Sequence, residues 1–100
     1  MFVWVNEPDG LTFEGELEIG SVENLQSVLV ENLKTKKKLR LDLRKVSRLD
    51  TAASQVLLAL TQSEGPENLK LLLSNEVSQT FDHLGFMPHF QAYLSEESDL

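Results

Sequence analysis

Two leucine-rich runs separated by a helix-forming stretch constrain the fold of this chain most strongly. Residues 39–43 alternate leucine with Arg40 and Asp42, a pattern typical of a short strand. Residues 69–73 are almost continuously apolar, as expected for a strand that is covered on both faces. Residues 51–60 combine strong helix formers with apolar side chains most of the way round, which predicts a well-buried central helix. A strand–helix–strand connection of this kind requires parallel pairing and a right-handed path.

The segment before the first leucine-rich run predicts an antiparallel pair of strands. Residues 2–5 and 11–14 are short β-type runs on either side of the turn signal Pro8-Asp9-Gly10. Gly15 interrupts the alternation, so we expect residues 16–20 to leave the sheet through a bend or bulge.

A first helix is predicted to follow, with Ser21 as its N-cap. Its apolar residues recur at intervals of three and four and predict one buried stripe. The stripe consists of Val22, Leu25, Val28, Leu29 and Leu33, beneath the polar residues Glu23, Gln26, Glu31 and Asn32.

A last helix is predicted after the second leucine-rich run, with Asn75 as its N-cap and Val77, Phe81 and Leu84 on one face. Gly85 stands where a left-handed C-cap is needed, and Phe86 is placed to contact Phe81. Residues 87–93 fit either a final helical turn or a short strand.

The sequence therefore predicts an α/β fold with a four- to five-stranded mixed sheet and three to four helices. The sheet combines an N-terminal antiparallel pair with parallel central strands. We expect residues 1–94 to form one domain and residues 95–100 to form an acidic tail.

Composition excludes several classes of function. The formal net charge of −7 argues against nucleic-acid binding, because such binding depends on an excess of cations. The absence of cysteine removes any thiolate metal site and fits the cytoplasm. No apolar stretch approaches the roughly 20 residues of a membrane span, and no secretory leader is evident, so we expect no membrane insertion.

The cationic residues are concentrated in one block that runs from Lys34 to Arg48, and only Lys70 follows it. Its lysines can complement the C-terminal end of the preceding helix dipole, with its arginines on solvated loops. Alternatively, Arg44, Lys45 and Arg48 form an electropositive rim that recognises an acidic partner or a phosphoryl group. The residues alone leave both interpretations open.

The junction between the first leucine-rich strand and the central helix is the main candidate site. Asp50 is placed to accept hydrogen bonds from the N–H groups of Ala52 and Ala53, and Val46 and Leu49 should anchor a loop before it. The Thr51 hydroxyl would then lie exposed on the first helical turn, at the sheet edge where α/β proteins bind ligands. From the residues alone, Asp50-Thr51 also fits a plain helix start.

Three stretches, taken together, follow the pattern of one known family. They are the turn Gly15-Glu16-Leu17-Glu18, the central segment with Asp42-Leu43, Val46-Ser47 and Leu49-Asp50-Thr51, and the pair Gly85-Phe86. They resemble the Gly-Glu-Leu-Asp turn, the central signature and the Gly-Leu pair of the STAS domain, the family of sulfate transporters and anti-sigma-factor antagonists. The resemblance covers about residues 3–94.

The resemblance implies a non-enzymatic switch whose partner is a serine/threonine kinase of the anti-sigma-factor type. Thr51 corresponds to the hydroxyl residue that antagonist members present for phosphorylation, and Glu18 to an acidic position near it. We expect partner contacts at Glu18, Arg48, Asp50, Thr51, Ala52 and Ser54.

This sequence has Asp50-Thr51-Ala52-Ala53 where the family commonly has Asp-Ser-Ser/Thr-Gly. Threonine here also resembles the STAS subunits of phospholipid-transport ABC systems and of stressosome-type assemblies. The alternative partners are therefore an ABC-transporter ATPase, or components of a stressosome or chemotaxis array. The oligomeric state stays open.

An enzymatic or cofactor-dependent function is not expected. The only histidines, His83 and His89, fit surface or core-rim positions, and neither has acidic residues at metal-ligand spacing. A phosphoacceptor receiver with Asp42 as acceptor would need an acidic pair after the first strand to hold Mg²⁺, and the sequence there does not supply one. No glycine-rich phosphate loop is present, so we expect no cofactor and no metal.

Overall fold

The computed structural model describes residues 2–18, 22–35 and 38–95, without the side chains of Phe2 and Val22. Its elements alternate as the sequence predicts. They are β1 (Phe2–Glu7), β2 (Gly10–Leu17), α1 (Val22–Thr35), β3 (Leu39–Leu49), α2 (Thr51–Ser63), β4 (Leu69–Leu72), α3 (Asn75–His83) and α4 (Met87–Phe90), followed by a 3₁₀ turn (Gln91–Tyr93).

The four strands form one mixed sheet in the order β1-β2-β3-β4. β1 is antiparallel to β2, whereas β2, β3 and β4 are mutually parallel, which confirms the predicted fold class. α1 packs on α2 and β2, α3 packs on β3, and α4 contacts both α2 and α3. β4 ends at Leu72, opposite Asp42, whereas β3 continues to Leu49, and α3 follows β4 and packs on β3.

The core lies where the leucines of the central strands meet the apolar faces of the helices. Leu41, Leu43 and Leu71 are fully buried, and Leu25 and Leu29 of α1 are within 2% of full burial. The aromatic end of the chain closes this core. The rings of Phe81 and Phe90 stack with centroids 4.2 Å apart, and the Tyr93 hydroxyl lies 2.6 Å and 2.9 Å from the carbonyl oxygens of Thr61 and Glu64 in and after α2.

The ends of two strands differ from the sequence prediction. β3 continues to Leu49, so the segment expected to be a loop is an extended strand. β2 likewise continues to Leu17, and the expected irregularity appears as register shifts beside Gly15, whose φ is 96°. Pairing between β2 and β3 holds both segments in the sheet because each supplies hydrogen-bonding partners to the other.

The helices require three corrections. Asn32 is 7% exposed, and its amide nitrogen donates to the Val28 carbonyl, so it lies in the buried stripe rather than above it. α2 is buried on one face only, because Ala59 is exposed. The N-cap of α3 is Ser74 rather than Asn75. The predicted cap Ser21 lies outside the described residues.

The C-terminal end of α3 matches its prediction. Gly85 has a φ of 76°, in the left-handed region that favours glycine. The N–H of Phe86 donates to the Phe81 carbonyl and the N–H of Gly85 donates to the Asp82 carbonyl, which is the Schellman arrangement. The chain then turns into α4, so the helical alternative for residues 87–93 is correct.

Candidate functional site

The junction between β3 and α2 is fixed by hydrogen bonds on both sides. The Asp50 backbone N–H donates to the Leu17 carbonyl at 3.1 Å, which ties the junction to β2. The Asp50 carboxylate accepts from the Ala53 N–H at 2.9 Å, as predicted for the N-cap. The Asp50 carbonyl accepts from both the backbone N–H and the hydroxyl of Ser54, at 3.0 Å and 2.9 Å. The first turn of α2 is therefore preorganised.

Thr51 is the first residue of α2 and its side chain is exposed. Val46 and Leu49 are buried on β3 and hold the strand against the core, so the turn after them directs Thr51 toward solvent. The positive end of the α2 dipole lies at this turn, where it favours a negatively charged group. The half-buried carboxylate of Asp50 adds a negative charge next to it. A charge added at Thr51 would therefore interact with both the α2 dipole and the Asp50 carboxylate.

An open groove of about 440 Å³ separates this junction from α3. One wall consists of Arg48, Leu49, Asp50 and Thr51, and the other of Glu76, Gln79, Thr80, His83 and Leu84. The α3 residues Glu76, Gln79, Thr80 and His83 recur at three and four, on the side of the helix opposite the buried Val77 and Phe81. That spacing is the sequence signal for the second wall, which our sequence analysis did not use.

Arg48 lines the groove and forms an ion pair with Glu18, which places Glu18 next to the groove. β2 and β3 end in register at Leu17 and Leu49, and the Arg48 Nε lies 3.6 Å from the Glu18 Oε1. The Arg48 side chain is 71% exposed and the Glu18 side chain is 36% exposed. An ion pair this exposed contributes at most about 1 kcal/mol. Either side chain can therefore exchange its partner at little cost.

The other two cations of the proposed rim are also paired with acidic side chains. The Arg44 Nη2 lies 2.9 Å and its Nε 3.0 Å from the two oxygens of Asp42. The Lys45 Nζ lies 3.3 Å from the Glu14 Oε1. The outer part of β3 therefore carries compensated charge rather than an isolated cationic surface.

The surroundings of Asp42 shift its pKa. Burial by itself raises the pKa of Asp42, but hydrogen bonds from the Arg44 side chain and backbone, with the charges of Arg44 and Arg40, outweigh burial. The pKa of this carboxyl is therefore held below its usual range. Asp42 is ionised at neutral pH and acts as a structural anchor for Arg44.

The structure brings most of the predicted site residues together. Arg48, Asp50 and Thr51 line the groove, Glu18 adjoins it through Arg48, and Ala52 is half-buried beside Thr51. Ser54 differs, because it is fully buried and its hydroxyl bonds to the Asp50 carbonyl. Its hydroxyl therefore holds the junction from inside the protein.

Neither histidine falls in a metal-binding arrangement within the described part of the chain. His83 lies in the groove, which sequence reasoning did not foresee, and both His83 and His89 are exposed. Among residues 2–18, 22–35 and 38–95, no three His, Asp or Glu side chains cluster closely enough to hold a metal ion.

The described residues form a small mixed α/β domain whose second helix begins at an exposed residue beside an open groove. The sequence profile of the STAS domain family, described as the MlaB STAS domain, matches residues 1–86. The chain therefore belongs to the STAS domain family. No curated protein sequence matches the chain significantly.

Solved structures with the same fold include two anti-sigma-factor antagonists. The antagonist from Mycobacterium paratuberculosis has a TM-score of 0.73 and 15% identity, over 96% of this chain and 85% of that one. The antagonist SpoIIAA in its unphosphorylated form has a TM-score of 0.65 and 14% identity, over 95% and 86%. A sulfate transporter family protein from Wolinella succinogenes has a TM-score of 0.67 and 20% identity, over 91% and 77%. At these identities the similarity establishes the fold.

Family and fold together support a regulatory protein-interaction module, and STAS domains are typically non-enzymatic binding modules. Within the part of the chain that the structure describes, every helix is too short or too polar to cross a membrane.

Proposed function

We propose that this protein is a cytoplasmic binding module in which Thr51 is a phosphorylatable switch for partner docking. The observation that carries the proposal is the exposure of the Thr51 side chain on a turn fixed by Asp50 and Ser54. Because the surrounding backbone is already hydrogen-bonded, a change at the hydroxyl alters the surface without requiring the helix to rearrange. Its partner is a serine/threonine kinase of the anti-sigma-factor type.

Electrostatics explains how such a switch would work. Phosphorylation of Thr51 adds roughly two negative charges at neutral pH. The α2 dipole and Arg48 favour those charges, whereas Asp50 beside Thr51 and Glu76 across the groove oppose them. The modified groove becomes strongly acidic, so it repels an acidic or apolar partner surface while the core stays intact.

Incubation with ATP and candidate kinases, followed by intact-mass measurement and site mapping, tests the modification. We expect one phosphate on Thr51 and none after Thr51→Ala. Thr80→Ala is the matched control, because Thr80 is a second threonine in the same groove, on the opposite wall. Phosphate on Thr80 instead of Thr51 would refute the assignment.

Calorimetric titration with the partner tests the switch itself. Thr51→Glu adds charge and is expected to weaken binding at least about tenfold, which corresponds to about 1.4 kcal/mol. Thr51→Gln adds comparable bulk without charge and should weaken binding much less. Equal losses for the two variants would mean that Thr51 acts by shape rather than by charge.

A second partner class is an ABC-transporter ATPase of a phospholipid-transport system. Two observations favour it, namely Thr51-Ala52-Ala53 in place of the common Ser-Ser/Thr-Gly, and the match to the MlaB STAS description. Co-purification of the chain with either candidate distinguishes the two. Retention of the ATPase complex by Thr51→Ala and its loss in Thr51→Glu would assign the same groove to the ATPase.

A further inference from the structure

The two edge strands of the sheet, β1 and β4, differ in what covers their outer sides. At the β4 edge, Leu94 forms a parallel bridge with Leu71, and the Ser95 N–H donates to the Leu71 carbonyl at 2.8 Å. The C-terminal segment therefore covers part of that edge. β1 forms the opposite edge, and among residues 2–18, 22–35 and 38–95 it pairs with β2 alone.

β1 also carries three of the four large apolar residues that are exposed in the described part of the chain. Val3, Trp4 and Val5 are 57%, 45% and 55% exposed, and the fourth large exposed apolar residue is Val30 on α1. Successive residues of a strand point to opposite faces, so apolar side chains are exposed on both faces of β1. Protected edge strands usually carry lysine, proline or inward-pointing charge. Residues 2–6 of β1 contain none of these.

Charge on β1 is sparse, although the whole chain carries a net charge of −7. Glu7 is the only charged residue of β1, and its carboxylate accepts a hydrogen bond from the Thr12 hydroxyl on β2. Glu14 is the register partner of Val3, and it forms an ion pair with Lys45. The overall charge repels a second copy at long range, but this edge offers an approach where the nearby acids are already engaged.

We propose that β1 is a self-association surface, on which two copies of the chain pair β1 with β1 antiparallel about a two-fold axis. Such an axis keeps each face of the sheet on its own side, so opposed residues must share a face, and an axis at Trp4 or Val5 overlaps most of the strand. In neither of these registers does Glu7 face the Glu7 of the other copy. Because both copies use the same edge, the association closes at two copies.

The contact buries little surface, since it is made by one strand of six residues. Small interfaces of this kind are weak, so we expect a dissociation constant in the range of tens to hundreds of micromolar. A second copy fits this edge because the register centred on Trp4 places Trp4 opposite Trp4 and Val3 opposite Val5, which are favourable cross-strand combinations.

The sole tryptophan makes the proposal directly measurable, because Trp4 lies in the proposed contact. Sedimentation of the 100-residue chain between about 10 µM and about 1 mM should show a reversible monomer–dimer equilibrium. Tryptophan emission should shift to shorter wavelength over the same range as Trp4 becomes buried.

Val5→Lys tests the strand, and Val30→Lys is its matched control, since it adds the same charge at a valine that is 49% exposed elsewhere. We expect Val5→Lys to weaken association at least about tenfold and to abolish the emission shift, while Val30→Lys retains both. A chain that stays monomeric to about 1 mM, or equal effects of the two substitutions, would overturn the proposal. So would association without a change in Trp4 emission.

Discussion

The β3–α2 and β4–α3 junctions of this protein are built on the same local plan. Each parallel strand ends in a buried residue and is followed by a helix-capping residue, Asp50 in the first junction and Ser74 in the second. Both caps have extended backbone dihedrals, and both accept a hydrogen bond from the N–H three residues later, at 2.9 Å and 3.2 Å. Local capping chemistry is therefore equivalent in the two junctions.

Their surroundings differ. Ser74 is 6% exposed and follows Leu73, which is fully buried, so the β4–α3 junction is part of the core. Asp50 is half-buried and is followed by the exposed Thr51, at the start of a helix that contains no charged residue. The same capping device is thus buried in one junction, whereas in the other it is followed by an exposed threonine hydroxyl. Substitutions in the two junctions should separate stability from recognition.

The largest expected effect is that of Leu73→Ala in the buried junction. Removing a fully buried leucine side chain should lower the free energy of unfolding by about 2 to 5 kcal/mol, because a cavity remains. Urea denaturation followed by circular dichroism measures the loss. Leu49→Ala is the counterpart in the other junction. It is expected to cost less, because Leu49 lines the groove where water can replace it. An equal cost would mean that the two junctions are equally enclosed.

The next effect is the difference between the two caps. Ser74→Ala leaves the Val77 N–H without its acceptor in a buried setting, at a cost of about 1 to 3 kcal/mol. Asp50→Ala removes the acceptor of a hydrogen bond that is only partly buried, so its cost should lie at the lower end of about 0.5 to 2 kcal/mol. Parallel urea titrations of both variants give the comparison. If Asp50→Ala proves the more costly, Asp50 is chiefly a structural residue.

The sequence predicts the first junction well and the groove poorly, for a physical reason. Capping is local, because Asp50 and the N–H of Ala53 are three residues apart and their chemistry is readable from the chain. The second wall depends on how α3 lies against β3, which no local pattern specifies. Glu76 and His83 therefore face the same groove as Thr51, although the spacing of residues alone does not connect them.

The extent of β3 shows the same limit. Arg44 and Lys45 look like loop residues by composition, but they lie in an extended strand. Their charges are compensated by Asp42 on the same strand and by Glu14 on β2, and β2 pairs with β3 along this segment. Long-range pairing overrides local propensity here, so the prediction stopped at Leu43, where the alternation of leucine with charged residues ends.

β3 also differs from β4 in its response to acid. Asp42 is the register partner of Leu72, so β3 carries an ionised carboxylate where β4 carries an apolar side chain. Because the pKa of Asp42 is lower in the folded protein than its ordinary value of 3.8, its contribution to stability is fully present above that value. The contribution is lost as the pH falls through the lower pKa of the folded state.

Urea titrations of the wild type and Asp42→Asn over an acid pH series test this dependence. The difference in free energy of unfolding between them should be largest near neutral pH and should shrink at acid pH. Glu14→Gln removes an exposed ion pair, whose contribution is at most about 1 kcal/mol, and should change the pH profile less. A difference that is independent of pH would show that Asp42 contributes through packing rather than through its charge.

The smallest expected effect on stability is that of Thr51→Ala. This substitution tests most directly how the β3–α2 junction differs from the β4–α3 junction. Thr51 is exposed and the backbone of its turn is held by Asp50 and Ser54, so the free energy of unfolding should change by no more than about 0.5 kcal/mol. Asn75→Ala is the matched control, since Asn75 is the exposed first residue of α3. Both substitutions should leave the free energy of unfolding, measured in urea, almost unchanged. Only changes at Thr51 should alter phosphate incorporation and partner affinity. Substantial unfolding by Thr51→Ala would mean that its hydroxyl supports the helix, and the distinction between a structural and a presenting junction would fail.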